Sequence, residues 1–353
     1  MRNDLTPVRE NVALAPLTTL GVGGRARFFV RAESVVDVEN AASFARRRKL
    51  PLFVLGGGSN LLVSDRGWDG LVLEVGISGI QQRREPSQRF LSAGAGMDWD
   101  EFVAYCVARN LGGIECLSGI PGSVGGTPVQ NVGAYGQEVS ETIVSVLTFD
   151  LEENRVRELN ATECGFRYRE SIFNTSQRGR YIILRVTYRL SSDITPSLRY
   201  ADLQKYFAGR DGTPSLSEVR DAVLAIRTSK GMLLTAGDPD SRSAGSFFKN
   251  PVLSAAQHDE LVRRAAERGL EVPSYPALSQ QRKVSAAWLV ENSGFKKGYV
   301  RGKAGISGKH ALAIVNLGGA TAADIVALKD EIQAQVEEVW GVRLQPEPVL
   351  VGF

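Results

Sequence analysis

The sequence predicts an α+β fold split into two or three domains. Three observations lead there. At 353 residues the chain is too long for one ordinary core. Segments with helical spacing alternate with short apolar runs of strand type along its whole length. Two dense glycine stretches interrupt the first half, where neither a packed helix nor a central strand can continue. Hydrophobic residues make up 43% and charged residues 23%, the profile of a packed globular chain. No internal repeat or low-complexity segment appears.

In chain order, Ser34 with Asp37 forms an approximate capping box, and Val38, Ala41, Ala42 and Ala45 mark the buried stripe of the helix it opens. Leu52–Leu55 reads as a buried strand running into Gly56-Gly57-Gly58. A Trp68-Asp69-Gly70 turn then leads into a strand over Leu71–Val75. Residues 98–110 read as a helix that ends before Gly112-Gly113. Strands dominate 143–190, clearest at Ile143–Phe149 and Tyr181–Leu190. Ser215 with Glu218 caps a helix to about Ile226, and 231–244 reads as a loop rich in Gly, Asp, Pro and Ser. Two further helices open at Ser254 with Gln257 and at Thr321 with Asp324. The last of them carries Ile325, Leu328, Ile332, Val336 and Val339 at core spacing and stops at Gly341. Cuts near 85 and near 220 divide the chain, with the last few residues returning toward the site.

Composition also narrows the function. A net charge of +3 gives no clustered basic surface for nucleic acid. The run Arg46-Arg47-Arg48-Lys49 ends a predicted helix, where cations suit the dipole, and reads as a solvated face. Cys106, Cys116 and Cys164 lack metal spacing and fit no closed disulfide framework, and with only His258 and His310 besides, no metal site is expected. The start leads into no apolar leader, and no window reaches ~18 uninterrupted apolar residues, so no membrane partner and a cytoplasmic location are expected.

The first glycine motif is Leu55-Gly56-Gly57-Gly58-Ser59-Asn60. Consecutive glycines let the backbone approach a ligand closely, and successive N–H groups can form a nest for a diphosphate. It is not the dinucleotide fingerprint that opens a helix, because Leu61-Leu62-Val63 follows. Alone, it reads equally as a tight turn. The second motif is Ser118-Gly119-Ile120-Pro121-Gly122-Ser123-Val124-Gly125-Gly126, followed by Gln130-Asn131-Val132-Gly133-Ala134-Tyr135-Gly136. Ile120, Val124, Val129 and Val132 punctuate it, which a mobile linker would not need. Two such loops suit a dinucleotide, whose pyrophosphate must be held on more than one side.

These loops resemble the vanillyl-alcohol-oxidase-type (PCMH-type) FAD-binding fold. Three motifs narrow the likeness: Phe166-Arg167-Tyr168-Arg169-Glu170-Ser171-Ile172-Phe173, Gly245-Ser246-Phe247-Phe248-Lys249-Asn250-Pro251 and Gln345-Pro346-Glu347-Pro348-Val349. With them the chain resembles, from about Leu17 to its end, the UDP-N-acetylenolpyruvoylglucosamine reductase family of peptidoglycan precursor synthesis. Gln130-Asn131 and Leu198-Arg199-Tyr200-Ala201-Asp202-Leu203 resemble its subclass with a substrate-covering tyrosine loop. The resemblance implies FAD-binding subdomains at 1–85 and 86–219, the second with the covering loop near 193–212. It further implies a third, α+β substrate-binding domain at 220–330, and a C-terminal helix and return segment at 331–353 carrying Glu347. Hydride would pass from NADPH through noncovalent FAD to an enolpyruvyl ether of UDP-N-acetylglucosamine, giving UDP-N-acetylmuramate, in a monomer. The segment 231–244 is longer than the link in many relatives, which leaves its geometry open.

The family's roles fall on named residues. Gly56, Gly57, Gly58, Ser59 and Asn60, with Gly122, Ser123, Val124 and Gly125, would bind FAD. Hydride added to the enolpyruvyl group pushes charge onto its carboxylate, where preorganised donors are needed. Arg169 offers a planar fork for a carboxylate, and Glu347, held protonated by burial and a neighbouring anion, would share a hydrogen bond with it. Ser246 would protonate the remaining carbon. Lys230 would contact the diphosphate, and Tyr200 and Asn250 the rest of the substrate. Without the resemblance, Arg169 reads as an ion-pair partner, Ser246 as a turn serine, Glu347 as a loop acid and Lys230 as a dipole partner at a helix end. Two rival readings stay open. One is an oxidase of the same fold with a covalent flavin, for which Cys116 is the nearest tether; the other is a nucleotide-sugar binder without activity.

Overall fold

The computed structural model describes residues 7–85, 88–277 and 280–353. The chain forms two compact units. The first comprises the strand up to Val12, Arg25–Gly58 and Trp68–Leu233; the second comprises Ala13–Gly24, Ser59–Gly67 and Leu234–Phe353.

The first unit holds two sheets. One runs in the order Arg9–Ala13, Arg25–Ala32, Trp68–Val75, Leu52–Leu55, and its last three strands are parallel. Parallel strands of one sheet need a crossover, and the helix Val35–Arg47 supplies it between Arg25–Ala32 and Leu52–Leu55, which flank Trp68–Val75. Ser34 and Asp37 cap it reciprocally, and Val38, Ala41, Ala42 and Ala45 are all buried. At its end, Arg46 donates to the Leu151 carbonyl, and Arg48 stacks over the Phe44 ring. The second sheet is antiparallel throughout, in the order Arg155–Asn160, Ile143–Asp150, Tyr181–Leu190, Arg89–Gly94, Ile80–Arg84. One apolar core joins both sheets and the helix Trp99–Val107.

Two sequence expectations need correction here. Trp68-Asp69-Gly70 is not a turn but the start of the strand Trp68–Val75, with Ala26 opposite Trp68. The glycine serves close approach instead: a Cβ on Gly70 would lie 2.2 Å from the Pro51 carbonyl oxygen. The helix expected over 98–110 spans Trp99–Val107, with Asp98 as its cap, and Asn110 rather than a glycine takes the first left-handed position after it (φ 54°). Asn tolerates that conformation better than most residues.

In the second unit, Ser243–Ser246, Ala313–Asn316, Ala304–Ile306 and Val300–Arg301 form an antiparallel sheet. Val252–Leu253, Arg282–Val284 and Ser274–Pro276 form a smaller one. The helices Ala255–Ala266 and Ala322–Trp340 carry the capping boxes read from the sequence, and Gly341 closes the second in the left-handed conformation. A short helix, Ala286–Glu291, was not legible in the sequence. Leu61–Val63 lies parallel to Val349–Val351, so the chain's last strand returns beside the residues that follow the first glycine motif.

Candidate active site

In the first unit the two glycine stretches meet backbone to backbone. A Cβ added to Gly57 would lie 2.6 Å from Gly122 Cα and 3.0 Å from Ser123 N, and one on Gly56 would lie 2.9 Å from Ser123 Oγ. Gly122 sits at φ 129° and Gly58 at φ 65°, conformations that glycine alone adopts at no cost. The second stretch is fixed by its own backbone: Trp99 N donates to Gly122 O at 3.0 Å, Val124 N to Met97 O at 2.9 Å, and Gly125 N to Ala95 O at 2.8 Å. Asp100 accepts from Gly119 N at 2.6 Å while holding Arg220 with both oxygens, at 2.6 and 2.8 Å. Thr127 joins the stretch to the buried Tyr188 hydroxyl at 2.9 Å.

These bonds leave particular donors over. Among the described residues, the N–H groups of Gly57, Gly58, Gly122 and Ser123 have no protein acceptor. Gly58 and Ser123 are buried, and buried backbone donors are almost always paired. A row of spare donors on two touching glycine loops has the chemistry to receive an extended anion such as a pyrophosphate. The unit boundary falls within the first motif, and Ser59 and Asn60 belong to the second unit. There Asn60 Nδ2 donates to Glu347 O at 3.3 Å, and Asn60 O accepts from Val349 N at 3.0 Å.

Arg169 also lies in the first unit, in a two-residue turn closed by reciprocal bonds between Arg167 and Glu170. Its φ of 57° is strained for a long side chain, and such strain persists only where the surroundings fix it. They do so here. Arg169 Nη2 donates to Gly133 O at 2.8 Å, and Asn174 Nδ2 to Arg169 O at 3.1 Å. Buried Asn131 bonds both Glu138 Oε2 at 2.7 Å and Arg167 O at 3.0 Å. Ser171 Oγ donates to Val129 O at 2.6 Å. The Phe166–Phe173 motif is thereby pinned to the second glycine stretch.

Tyr200 caps a short helix, Ala201–Tyr206, within the segment expected as a loop, and its ring meets that of Tyr135 edge-on at 5.3 Å. Lys230 closes the helix Leu216–Ser229 and pairs with Asp202 at 2.5 Å. Burial disfavours the charge on Lys230, but the Asp202 carboxylate with Tyr135 and Tyr200 outweighs it and raises the ammonium's pKa. Buried Arg227, one turn earlier, donates to Gly119 O at 3.1 Å and ties this helix to the glycine stretch.

The second unit brings Ser246 and Glu347 onto adjoining backbone. Glu347 N donates to Phe247 O at 2.9 Å, Lys249 N to Gln345 O at 2.9 Å, and Phe248 bridges to Pro346. Ser246 ends the strand Ser243–Ser246 with Ala313 opposite, and its Oγ lies 3.0 Å from His310 Nε2. Asn250 Oδ1 accepts from Ala286 N at 2.9 Å, fixing the start of the short helix Ala286–Glu291. His310 carried no sequence signal beyond its scarcity, because its partner lies 64 residues away.

Cys116, the candidate tether, is fully buried, with its Sγ donating to Ser197 O at 3.4 Å. Burial, with the nearby Glu115 charge, pushes its thiol up, away from the reactive thiolate. Among the described residues no helix is long and apolar enough to cross a membrane.

The chain is similar to known proteins over nearly its whole length. Residues 26–159 match the family described as FAD binding domain. Residues 238–351 match that described as UDP-N-acetylenolpyruvoylglucosamine reductase, C-terminal domain. The UDP-N-acetylenolpyruvoylglucosamine reductase of Thermobifida fusca is 48% identical over 98% of this chain and 99% of its own, and that of Streptomyces coelicolor is 42% identical over 99% and 92%. The crystal structure of the Thermus caldophilus reductase superposes with a TM-score of 0.65 at 26% identity, covering 98% of this chain and all of that one. Similarity of this extent, carried through both family models, makes the chain a member of the UDP-N-acetylenolpyruvoylglucosamine reductase family.

Proposed function

We propose that the protein reduces the enolpyruvyl ether of UDP-N-acetylglucosamine to UDP-N-acetylmuramate with FAD and NADPH, in peptidoglycan precursor synthesis. The observation that carries this is family membership over 98% of the chain. The geometry supports it: the touching glycine loops, with spare N–H groups at Gly57, Gly58, Gly122 and Ser123, suit the FAD pyrophosphate. Gly56, Ser59, Asn60, Val124 and Gly125 complete the proposed cofactor contacts. A buried Cys116 with a raised thiol pKa favours noncovalent binding. When bound, FAD supplies the hydride that NADPH delivers.

The chain's own residues handle the charge and the proton. Arg169, prepositioned by its pinned turn, receives the substrate carboxylate as negative charge develops there. Glu347 shares a proton with the same carboxylate. Ser246 protonates the carbon next to it, which completes the reduction. Lys230 contacts the diphosphate, exchanging Asp202 for substrate oxygens, and Tyr200 and Asn250 contact the rest of the nucleotide sugar. The division into 1–85, 86–219, 220–330 and 331–353 belongs to this proposal, as do a cytoplasmic location and a monomeric state. The two sheets of the first unit part between Val75 and Ile80, a few residues before the first cut, and Ile80–Arg84 already pairs with Arg89–Gly94.

The test is the visible spectrum of the purified protein. A bound flavin should bleach with NADPH and return when the enolpyruvyl substrate is added anaerobically, with UDP-N-acetylmuramate found by mass. A colourless protein that takes up no added FAD overturns the reading.

A further inference from the structure

Ser246 is an unusual acid for this work. A hydroxyl gives up a proton reluctantly, and the alkoxide left behind is costly unless a donor faces it. The second unit places one there. His310 Nε2 lies 3.0 Å from Ser246 Oγ, the distance of a full hydrogen bond. The imidazole stands on a loop held from several sides. Buried Ser307 accepts, through Oγ, from Lys309 N at 3.0 Å and from His310 N at 3.1 Å. Ala313 N donates to His310 O at 3.1 Å, at the position opposite Ser246 in the sheet. The long segment 231–244 braces the same loop. Asp240 Oδ1 accepts from Gly308 N at 3.0 Å, and Asp238 pairs with Lys309 at 2.6 Å.

We propose that His310 is a positioning residue that orients the Ser246 hydroxyl toward the substrate and returns its proton. The inference rests on the reading of Ser246 as proton donor. In the step, the Ser246 O–H bond breaks as the new C–H bond forms on the substrate. The imidazolium Nε2–H then passes its proton to the serine oxygen. The neutral ring takes a proton from solvent water before the next turnover. The segment 231–244 gains a purpose here, since it fixes the loop that aims the imidazole.

Rapid mixing of prereduced holoenzyme with substrate under anaerobic conditions tests this in three variants. His310→Ala should slow flavin reoxidation by about 10–100-fold, the range for losing a partner that orients a functional group. Flavin reduction by NADPH should stay at the wild-type rate and certify the fold. Added imidazole should restore much of the lost rate in His310→Ala, and His310→Gln, which donates a hydrogen bond but passes no proton, should stay slow. In the resting protein, with no turnover, Ser246→Ala should shift the His310 Nε2 resonance in long-range ¹H–¹⁵N spectra. If Ser246→Ala reoxidises normally, the reading of Ser246 falls and this inference with it. If Ser246→Ala is slow but His310→Ala is as fast as wild type, only this inference falls. Full activity of His310→Gln overturns the proton return.

Discussion

Placing one methyl group at the contact between the glycine loops should weaken FAD binding in a graded and predictable way. In Gly57→Ala the new Cβ would stand 2.6 Å from Gly122 Cα and 2.7 Å from its carbonyl carbon. Carbon atoms pack at about 3.5–4.0 Å, so the loops must part by about 1 Å. Neither neighbour is the free end of a side chain, and Gly122 is held by Trp99 N on its carbonyl at 3.0 Å. Overpacking of this kind costs about 1–3 kcal/mol. If that cost falls on the cradle, FAD should bind about 5- to 150-fold more weakly, at 1.4 kcal/mol per tenfold. Gly56→Ala, one residue earlier in the same proposed cradle, should cost less, since its Cβ would meet only Ser123 Oγ at 2.9 Å, a hydroxyl that can rotate away. Fluorescence titration of the apoproteins with FAD measures both, and apoprotein melting temperatures show whether the cost falls on folding instead. Wild-type affinity in Gly57→Ala, or a larger loss in Gly56→Ala, would refute the idea that backbone approach at Gly57 and Gly122 forms the cradle.

The reciprocal helix caps, which depend on residues three apart, were legible in the sequence. Ser34 with Asp37, Ser215 with Glu218, Ser254 with Gln257 and Thr321 with Asp324 all form the reciprocal caps read from spacing alone. The glycine motifs were legible as sites of close approach, but not their mutual contact, because Gly57 and Gly122 are far apart in sequence and only the fold brings them together. Gly70 shows the limit of local signals: a Trp-Asp-Gly turn signature lost to a parallel ladder, and the glycine was needed for the Pro51 carbonyl. Leu61–Val63 was too short to announce a partner, and finds one in Val349–Val351. The Ser246–His310 bond is of the same kind, since no periodicity marks a side-chain pair brought together by two strands and a loop. Arg169 is legible only through its motif; its left-handed backbone, fixed by Gly133, Asn131 and Asn174, leaves no local signal in the sequence.

Lys230→Ala should raise the apparent KM for the nucleotide sugar with little change in kcat, because a diphosphate contact is made equally in ground and transition states. Stopped-flow reduction by NADPH should not change, and loss of turnover at saturating substrate would move Lys230 into the chemistry. The last prediction concerns acid. Burial works against the Asp100 carboxylate, but its bonds to Arg220 and to Gly119 N prevail and hold its pKa below the ordinary value. A depressed carboxyl stabilises the fold fully above its unfolded pKa of about 3.9, and that contribution is lost as pH falls through the lower folded value. Asp100→Asn removes the charge but keeps one acceptor for Gly119. It should cost about 1–2 kcal/mol at neutral pH, the range for charge-assisted bonds, discounted because a third of the carboxyl is exposed. Denaturant unfolding of both proteins from pH 7 to pH 2 isolates this one group from the other acids. The gap between them should stay constant down to about pH 5 and close below about pH 4. A gap that is absent at pH 7, or that persists undiminished at pH 2, would mean that the Asp100 charge does not anchor the second glycine loop.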